Sequence, residues 1–544
     1  MSILKTRARA FALQMHTDCA QLRLRLRLRL RLRPRPQLLL LAVIGLLALG
    51  TNLPAGAEED APFAIRSHEI PGLIVQVWPV SASACDGGAQ DLLVLSTQGG
   101  PPEQEKWLTL MPCGSALRPD APEMIRRRIP DAAVLVDVAQ VPGRQGPQLL
   151  SVSAAGLRIE SLVGPASPRV FPVPGGLPLP PRPWEIGRVE IVADWDSLGR
   201  ATALVPSLGG AWKINLESGA TKRLPMPVYA SYRTWMPFLP AQVWKWMIGE
   251  ITWPTLSRAD DNGDGRPDLF ALSRWGIWIY HAGPDGLPNA PSRKLDFTPF
   301  TEAEERRREA TGNNYFARDL NGDGRADLML NTIGGGMLDG ESKTRIHLGG
   351  SQGVTSEGPP NFERNIQGGL AAYNFVDLTG DGIPEIAENS FEFGIVQILR
   401  ILTTRKAETT LRFFAVDAEA EGGLRVLFED EFSFGLDFGE GRFAGIVPSL
   451  GDWNGDGILD FYVTRNKTEI AFRMGADAPG KPAFGSRLGR QTVPLENGES
   501  RIADLNGDGL DEIIAFTDVD PEAPLIVLEN LGRLPGTGAS LSPR

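Results

Sequence analysis

Asp319-Leu320-Asn321-Gly322-Asp323-Gly324-Arg325-Ala326-Asp327-Leu328 is the stretch whose reading decides the fold. It returns four times with little change. The copies are Asp260-Asp261-Asn262-Gly263-Asp264-Gly265-Arg266-Pro267-Asp268, Asp377-Leu378-Thr379-Gly380-Asp381-Gly382-Ile383-Pro384-Glu385, Asp452-Trp453-Asn454-Gly455-Asp456-Gly457-Ile458-Leu459-Asp460 and Asp504-Leu505-Asn506-Gly507-Asp508-Gly509-Leu510-Asp511-Glu512. Positions 1, 3, 5 and 9 carry oxygen side chains in every copy, and position 6 is Gly. That spacing suits a hard cation such as calcium, which takes six to eight oxygens in a flexible shell. The carbonyls at position 7 (Arg266, Arg325, Ile383, Ile458 and Leu510) would add one oxygen each. A single such turn could instead be a metal-free Asx turn. Five with the same oxygen pattern favour the cation, because carboxylates crowded into nine residues repel one another unless a positive charge sits between them. The expected cofactor is therefore Ca2+, up to five per chain.

The turns are not EF-hands, which need a bidentate Glu at position 12 and flanking helices. Position 12 is Ala271, Leu330, Glu388, Val463 and Ala515. After position 9 the chain runs into short apolar stretches, such as Leu328-Met329-Leu330 and Ile513-Ile514-Ala515-Phe516. Beside Gly- and Asp-rich turns these read as strands, so each turn joins two strands.

The five turns resemble the FG-GAP/VCBS repeats of integrin alpha subunits and of many bacterial exported proteins. The resemblance is good from about 250 to 530 and weak from about 60 to 250. It implies a calcium loop within each blade of a β-propeller. It says little about biological role.

The spacing between turn starts is 59, 58, 75 and 52 residues, a period typical of propeller-like arrays. Three decayed units precede the clear ones. Asp194, Asp196 and Gly199 hold positions 1, 3 and 6 of one, with Leu198 and Thr202 where carboxylates should be. Val134–Val152 keeps Asp137 before Gln-Leu-Leu-Ser-Val, and Cys85–Leu95 keeps Asp86 and Asp91 before Leu-Leu-Val-Leu. Three decayed units and five clear ones give eight blades, with seven as the alternative. The expected fold is all-β: four-stranded antiparallel blades in a ring, closed by an N-terminal strand between about Phe63 and Trp78, because the last unit stops short of its outer strand. Residues 58–250 would form metal-free repeats and 251–544 the calcium repeats of one continuous propeller.

The N-terminus reads differently. Residues 1–57 hold ten Lys/Arg and one Asp, a charge of +9. The whole chain carries −11, which leaves −20 for the remainder. Five calcium ions would offset half of that. There is no basic surplus, so nucleic acid is not expected as a partner. The basic start, the apolar run from Leu38 to Gly50 and the following Pro54-Ala55-Gly56-Ala57 describe a secretory signal peptide. The apolar run is short for a membrane span, which needs about twenty residues, although an uncleaved anchor stays open. The Arg-Leu run from Leu22 to Arg35 has no functional account. In an exported chain Cys85 and Cys113 are expected to form a disulfide; two separate buried thiols are the alternative. Location would be periplasmic or extracellular.

Two stretches break the period. Met226–Pro254 carries four Trp, and Glu392–Phe443 is rich in Phe. A longer hairpin packed on a blade is one reading; an aromatic surface for a protein or glycan is the other. Catalytic patterns are few. Gly349-Gly350-Ser351-Gln352-Gly353 matches a nucleophile motif, but that motif needs a strand-to-helix elbow and here falls at an expected β-turn. His281 and His347 both sit near strand ends and read as equivalent repeat positions. The expected function is a protein- or glycan-binding or scaffolding module at the cell surface or envelope, without catalytic residues. The alternative is a polysaccharide-active enzyme on a calcium-stabilised propeller.

Overall fold

In each of the five acidic units, the ninth-position carboxylate opens a strand whose first four residues are buried. Asp268–Ser273 and Glu512–Phe516 are buried at every residue, so both faces of the strand pack against something. A sheet that must cover both faces either stacks or closes into a ring. The computed structural model describes residues 61–534 apart from 84, 101–102, 119–123, 165–166, 175–185, 236–245, 275, 297–311, 335–339, 393–394, 418–419, 421–422, 438–441, 447 and 477–482. The signal segment, the Arg-Leu run and Cys19 lie outside the described residues.

The chain forms a β-propeller of eight four-stranded antiparallel blades. The blades span residues 73–129, 135–172, 192–225, 255–295, 312–367, 369–437, 450–492 and 497–530. The eighth has three strands of its own, and Phe63–His68 pairs antiparallel with Leu525–Asn530 as its fourth. The closing strand is thus shorter than the sequence suggested: Leu73–Val80 already begins the first blade. The ring is held by apolar clusters between successive blades. Leu93, Leu108, Val136 and Leu149 join blades 1 and 2; Val77, Leu92, Ile514 and Val527 join blades 8 and 1.

First strands of neighbouring blades touch one another, as Thr255–Ala259 and Gly312–Arg318 do, so the first strands face the ring axis. Two of them are split. In blade 3, Gly187–Arg188 pairs parallel with the first strand of blade 2, and only Val192–Ala193 stays with its own blade. In blade 7, the preceding segment Arg442–Ile446 pairs parallel with the first strand of blade 8, leaving Leu450–Gly451.

Because the strands alternate in direction, the ring has two distinct faces. The five acidic turns, which join first strands to second, lie on one face. That face also holds the turns between third and fourth strands, such as Gly283–Gly286. The insertions lie on the other. Tyr229–Trp235 and Trp246–Thr252 form a hairpin between blades 3 and 4 that joins neither sheet. In blade 6, a helix, Ile395–Thr404, connects the second and third strands. The sequence suggested a longer hairpin or an aromatic surface for this stretch; the third and fourth strands, Lys406–Val416 and Leu424–Asp437, are indeed long, and the helix before them, with Ile401 buried, was not legible in the sequence.

Phe63 is buried and stacks on Phe472 with ring centroids 5.1 Å apart, so the closing strand is anchored by an aromatic pair. Phe63→Ala is expected to cost about 3–5 kcal/mol. Ile65→Ala, at an exposed position of the same strand, should change stability by less than about 1 kcal/mol. Denaturant unfolding of both variants checks this; two small and equal effects would contradict closure by this strand.

Candidate metal centres

The five acidic turns share one hydrogen-bond scheme. The position-1 carboxylate accepts from the amides of positions 4 and 6: Asp260 from Gly263 and Gly265, each at 2.7 Å, and Asp504 from Gly507 at 2.6 Å and Gly509 at 2.8 Å. Asp319, Asp377 and Asp452 do the same. Both glycines hold positive φ in every copy, from 72° to 84°, a region that costs a side chain free energy and Gly none. The position-5 carboxylate accepts from the position-7 amide, as Asp264 does from Arg266 at 2.9 Å and Asp323 from Arg325 at 2.8 Å; Asp381, Asp456 and Asp508 repeat it. At position 3, Asn262, Asn321, Asn454 and Asn506 accept from the position-5 amide, whereas Thr379 donates to Glu385 Oε1 at 3.0 Å.

Position 9 behaves differently. Asp268, Asp327, Glu385, Asp460 and Glu512 are all buried. One oxygen of each accepts from the amide of position 2, at 2.6–3.0 Å. The other oxygen of Asp268, Asp327 and Asp460 accepts from Ala282, Gly349 and Gly475 at the end of the third strand, each at 2.8 Å. This carboxylate therefore ties the turn to two strands of its blade. Glu385 and Glu512 depart from this: Glu385 Oε1 accepts from the Thr379 hydroxyl, and Glu512 Oε1 is buried without a well-formed hydrogen bond, although the Asn530 amide at the end of the third strand acts on its carboxylate.

Burial is the first cause that pushes these acids up. Asp327 rises to about 6, Asp460 to about 7 and Glu512 to about 8, and Asp268 also rises. Backbone amides offset part of the shift, and the carboxylates at positions 1 and 5 add to it. A cation beside them would reverse that field.

The residues fit a hard divalent cation in donor chemistry. Each turn supplies carboxylate, amide or hydroxyl oxygens and a position-7 carbonyl, and the fifth has a buried oxygen without a well-formed hydrogen bond. The acids of one turn do not close a shell by themselves: among the described residues, only Cys85, Asp91 and Cys113 bring three such ligand atoms within 4.8 Å of one another. Glu388, the one acid at position 12, is no ligand. It is buried among Arg364 at 2.8 Å, Arg412 at 3.1 Å and the Tyr373 hydroxyl at 2.8 Å.

The turns also interlock around the ring. Asp260 O accepts from Ala326 N of the next turn at 2.7 Å, and Asp452 O from Asp511 N at 2.9 Å. Asp511 Oδ2 in turn accepts from Asp452 N at 2.7 Å. A Cβ on Gly263, Gly322 or Gly455 would meet the position-7 side chain of the following turn, Arg325, Ile383 or Leu510. Asp261, at position 2 of the first turn, is buried and holds His281 at 2.8 Å, Arg293 at 2.6 Å and Val354 N at 2.9 Å, bridging blades 4 and 5. Nothing in the repeat pattern marks Asp261 or Asp511, because each spans a blade boundary, Asp261 to Val354 N and Asp511 to Asp452 N.

The decayed blades keep the architecture with other chemistry. Asp91 opens the second strand of blade 1 and accepts from Ala82, Ser83 and Cys113 amides at 2.9, 2.6 and 3.0 Å. Cys85 and Cys113 beside it are joined by a disulfide. Asp137, read from sequence as a remnant turn acid, lies instead within the strand Leu135–Gln140. There it takes Arg188 at 3.1 Å and Ile191 N at 2.9 Å; an Asp ahead of an apolar run looks alike in either place. His281 and His347 are not equivalent either. Tyr280 and His347 pair with Leu269 and Leu328, the residues after position 9, so His281 falls one place later. Ser351 lies in the two-residue turn between Gly350 and Gly353, not at a strand-to-helix elbow. A cavity of about 290 Å³ between blades 5 and 6 is lined by Ile346, Phe362, Val416 and Leu424 among others, with no titratable group.

The family described as FG-GAP-like repeat matches residues 260–330, which contain the first two acidic turns. With the eight-bladed ring, this match supports an FG-GAP-type β-propeller. A solved structure titled as the structural basis of recognition of non-reducing terminal N-acetylglucosamine by an Agrocybe aegerita lectin shares 16% identity, with 86% of this chain and 99% of that chain covered and a TM-score of 0.37. A likeness at that level assigns no ligand to this chain. No curated protein matches.

Two expectations follow. In chelator, the raised acids are favoured in the fold when protonated. Their contribution is full below the unfolded value near 4 and is lost as pH rises through about 6 to 8. The buried His68 and His347, whose pKa values burial lowers, oppose the fold below about 6.5. The thermal midpoint in chelator should therefore rise on acidification from about pH 8.5 to about 6.5; a fall across that window would contradict the buried-acid reading. Separately, Cys85 and Cys113 lie 28 residues apart, so replacing both by Ser should cost about 3–4 kcal/mol, read by denaturant unfolding.

Proposed function

We propose that this chain is an exported, calcium-stabilised propeller that binds a protein or glycan on the face opposite its acidic turns. The observation that carries the metal reading is the buried carboxylate at position 9, five times repeated beside two further acids and, in the fifth turn, left with one oxygen lacking a well-formed hydrogen bond. Side chains at positions 1, 3, 5 and 9 with the position-7 carbonyl would hold the ion. The ion would supply charge neutralisation and cross-link the turn. Everything else, from the amide cradle to the ties onto the second and third strands, is built by the chain itself.

The binding reading rests on the two faces. Interlocked short turns occupy one, whereas the hairpin Tyr229–Trp235/Trp246–Thr252 and the helix Ile395–Thr404 project from the other. Loops carried on a rigid scaffold are where recognition usually sits. Export is supported by the N-terminal sequence and by the disulfide, which suits an oxidising compartment.

Extracellular calcium modules bind at about 10⁻⁴ to 10⁻³ M, so such sites fill outside cells and stay empty in cytosol. At ten times the dissociation constant each site adds about 1.4 kcal/mol, or roughly 7 kcal/mol for five. Melting in calcium and then in excess chelator should show a large upward shift with calcium; an unchanged midpoint contradicts the structural metal. Arrayed glycans and purified envelope proteins offered to the calcium-loaded chain should give saturable binding. Release of new chain ends from a polysaccharide would favour the enzyme alternative instead.

A further inference from the structure

The third blade has lost its acids at positions 5 and 9, yet its turn keeps the shape of the other five. Asp194 Oδ1 accepts from Leu198 N at 3.0 Å and Oδ2 from Gly199 N at 2.9 Å, close to the position-1 cradle. Ser197 and Gly199, at positions 4 and 6, hold φ of 55° and 71°. Ser197 accepts that left-handed conformation without being Gly, which for a side-chain residue needs outside support; its hydroxyl donates to Pro267 O of the next turn at 2.6 Å.

What differs is the chemistry of position 3. Elsewhere it is a neutral Asn or Thr, exposed at Asn262, Thr379 and Asn506 and buried at Asn454, but in blade 3 it is an acid, Asp196, that is fully buried. A side chain on Gly286 of blade 4 would collide with it. A buried carboxylate needs a compensating charge. Here the Lys213 ammonium, from the third strand of the same blade, reaches Asp196 Oδ2 at 2.7 Å. The Thr202 hydroxyl, at position 9, donates to Asp196 Oδ1 at 3.3 Å. Arg200 approaches Oδ2 at 3.6 Å with its side chain 47% exposed. The Lys222 ammonium is engaged by Leu287 O. Lys213 is the buried member of this set, with a side chain 10% exposed against 0% for Asp196.

We propose that the third blade's turn is a cation loop whose cation is the Lys213 ammonium. The lysine nitrogen neutralises the buried turn acid and ties it to the third strand, as the ion would tie the turn in blades 4 to 8. The ring would then contain blades that respond to divalent ions and a third blade that does not. This inference uses the calcium reading of the other five turns as its reference, but the charge pairing can be tested apart from it.

The test is a charge cycle on the mature chain: Lys213→Met, Asp196→Asn, the double variant, and Lys213→Arg as the charge-keeping control. Lys213→Met keeps the apolar stem and strands the carboxylate. Breaking one side of a buried pair is far costlier than removing both. Its thermal midpoint should fall by about 5 °C or more, and most of that loss should return in Asp196→Asn/Lys213→Met. Lys213→Arg should stay near the parent. Calcium at millimolar level should raise the midpoint of Lys213→Met by more than it raises the parent or the double variant. The proposal is overturned if Lys213→Met melts with the parent, if the double variant is no better than Lys213→Met, or if calcium lifts the parent and Lys213→Met equally above their chelated midpoints. A parent that ignores calcium altogether would sink the reading of the five acidic turns, while recovery in the double variant would still support the Lys213 pairing.

Discussion

A carboxylate buried at the entrance to the second strand is the constraint on which the blades depend. In Asp268, Asp327 and Asp460 its two oxygens hold the amide at the start of the turn and the amide at the end of the third strand. Three segments of a blade are thereby fixed by one side chain. The same group is costly to bury as an anion, and the neighbouring turn acids make it costlier. Order in the turn and electrostatic stress in the turn therefore have the same source, and a divalent ion among the turn oxygens would relieve the stress without disturbing the order.

The first three blades show what happens when the acids are lost. Blade 1 keeps the buried acid, Asp91, and staples the neighbouring segments with Cys85–Cys113. Blade 2 places Gln148 at its second-strand entrance, where the side-chain amide donates to Gln145 O and Gly146 O. Blade 3 has Thr202 there, with Asp196 and Lys213 alongside. The strand scaffold survives each change because the apolar clusters between blades persist around the ring.

The ring was legible because its signals are local and repeated. Nine residues set each acidic turn, and the apolar run after position 9 sets the buried strand. The closing role of the segment near Phe63 followed from the missing last strand. Legibility failed where the partner lies in another blade. Asp511 clasps Asp452 across a blade boundary, Asp261 holds a turn of blade 5, and neither belongs to the motif. Asp137 was misplaced because an acid within a strand and an acid at its entrance precede the same apolar pattern. His281 and His347 are offset because the third strands end at equivalent residues, Tyr280 and His347, each three before its Gly turn, so His281 lies one place past its strand.

The account stands on neutralisation of clustered turn acids by bound ions, and the most direct measurement of that is metal content. Equilibrium dialysis of the mature chain against millimolar calcium, followed by elemental analysis, should find close to five calcium ions per chain, matching the five acidic turns in the sequence. A chain that retains none at that concentration, yet folds, would contradict it.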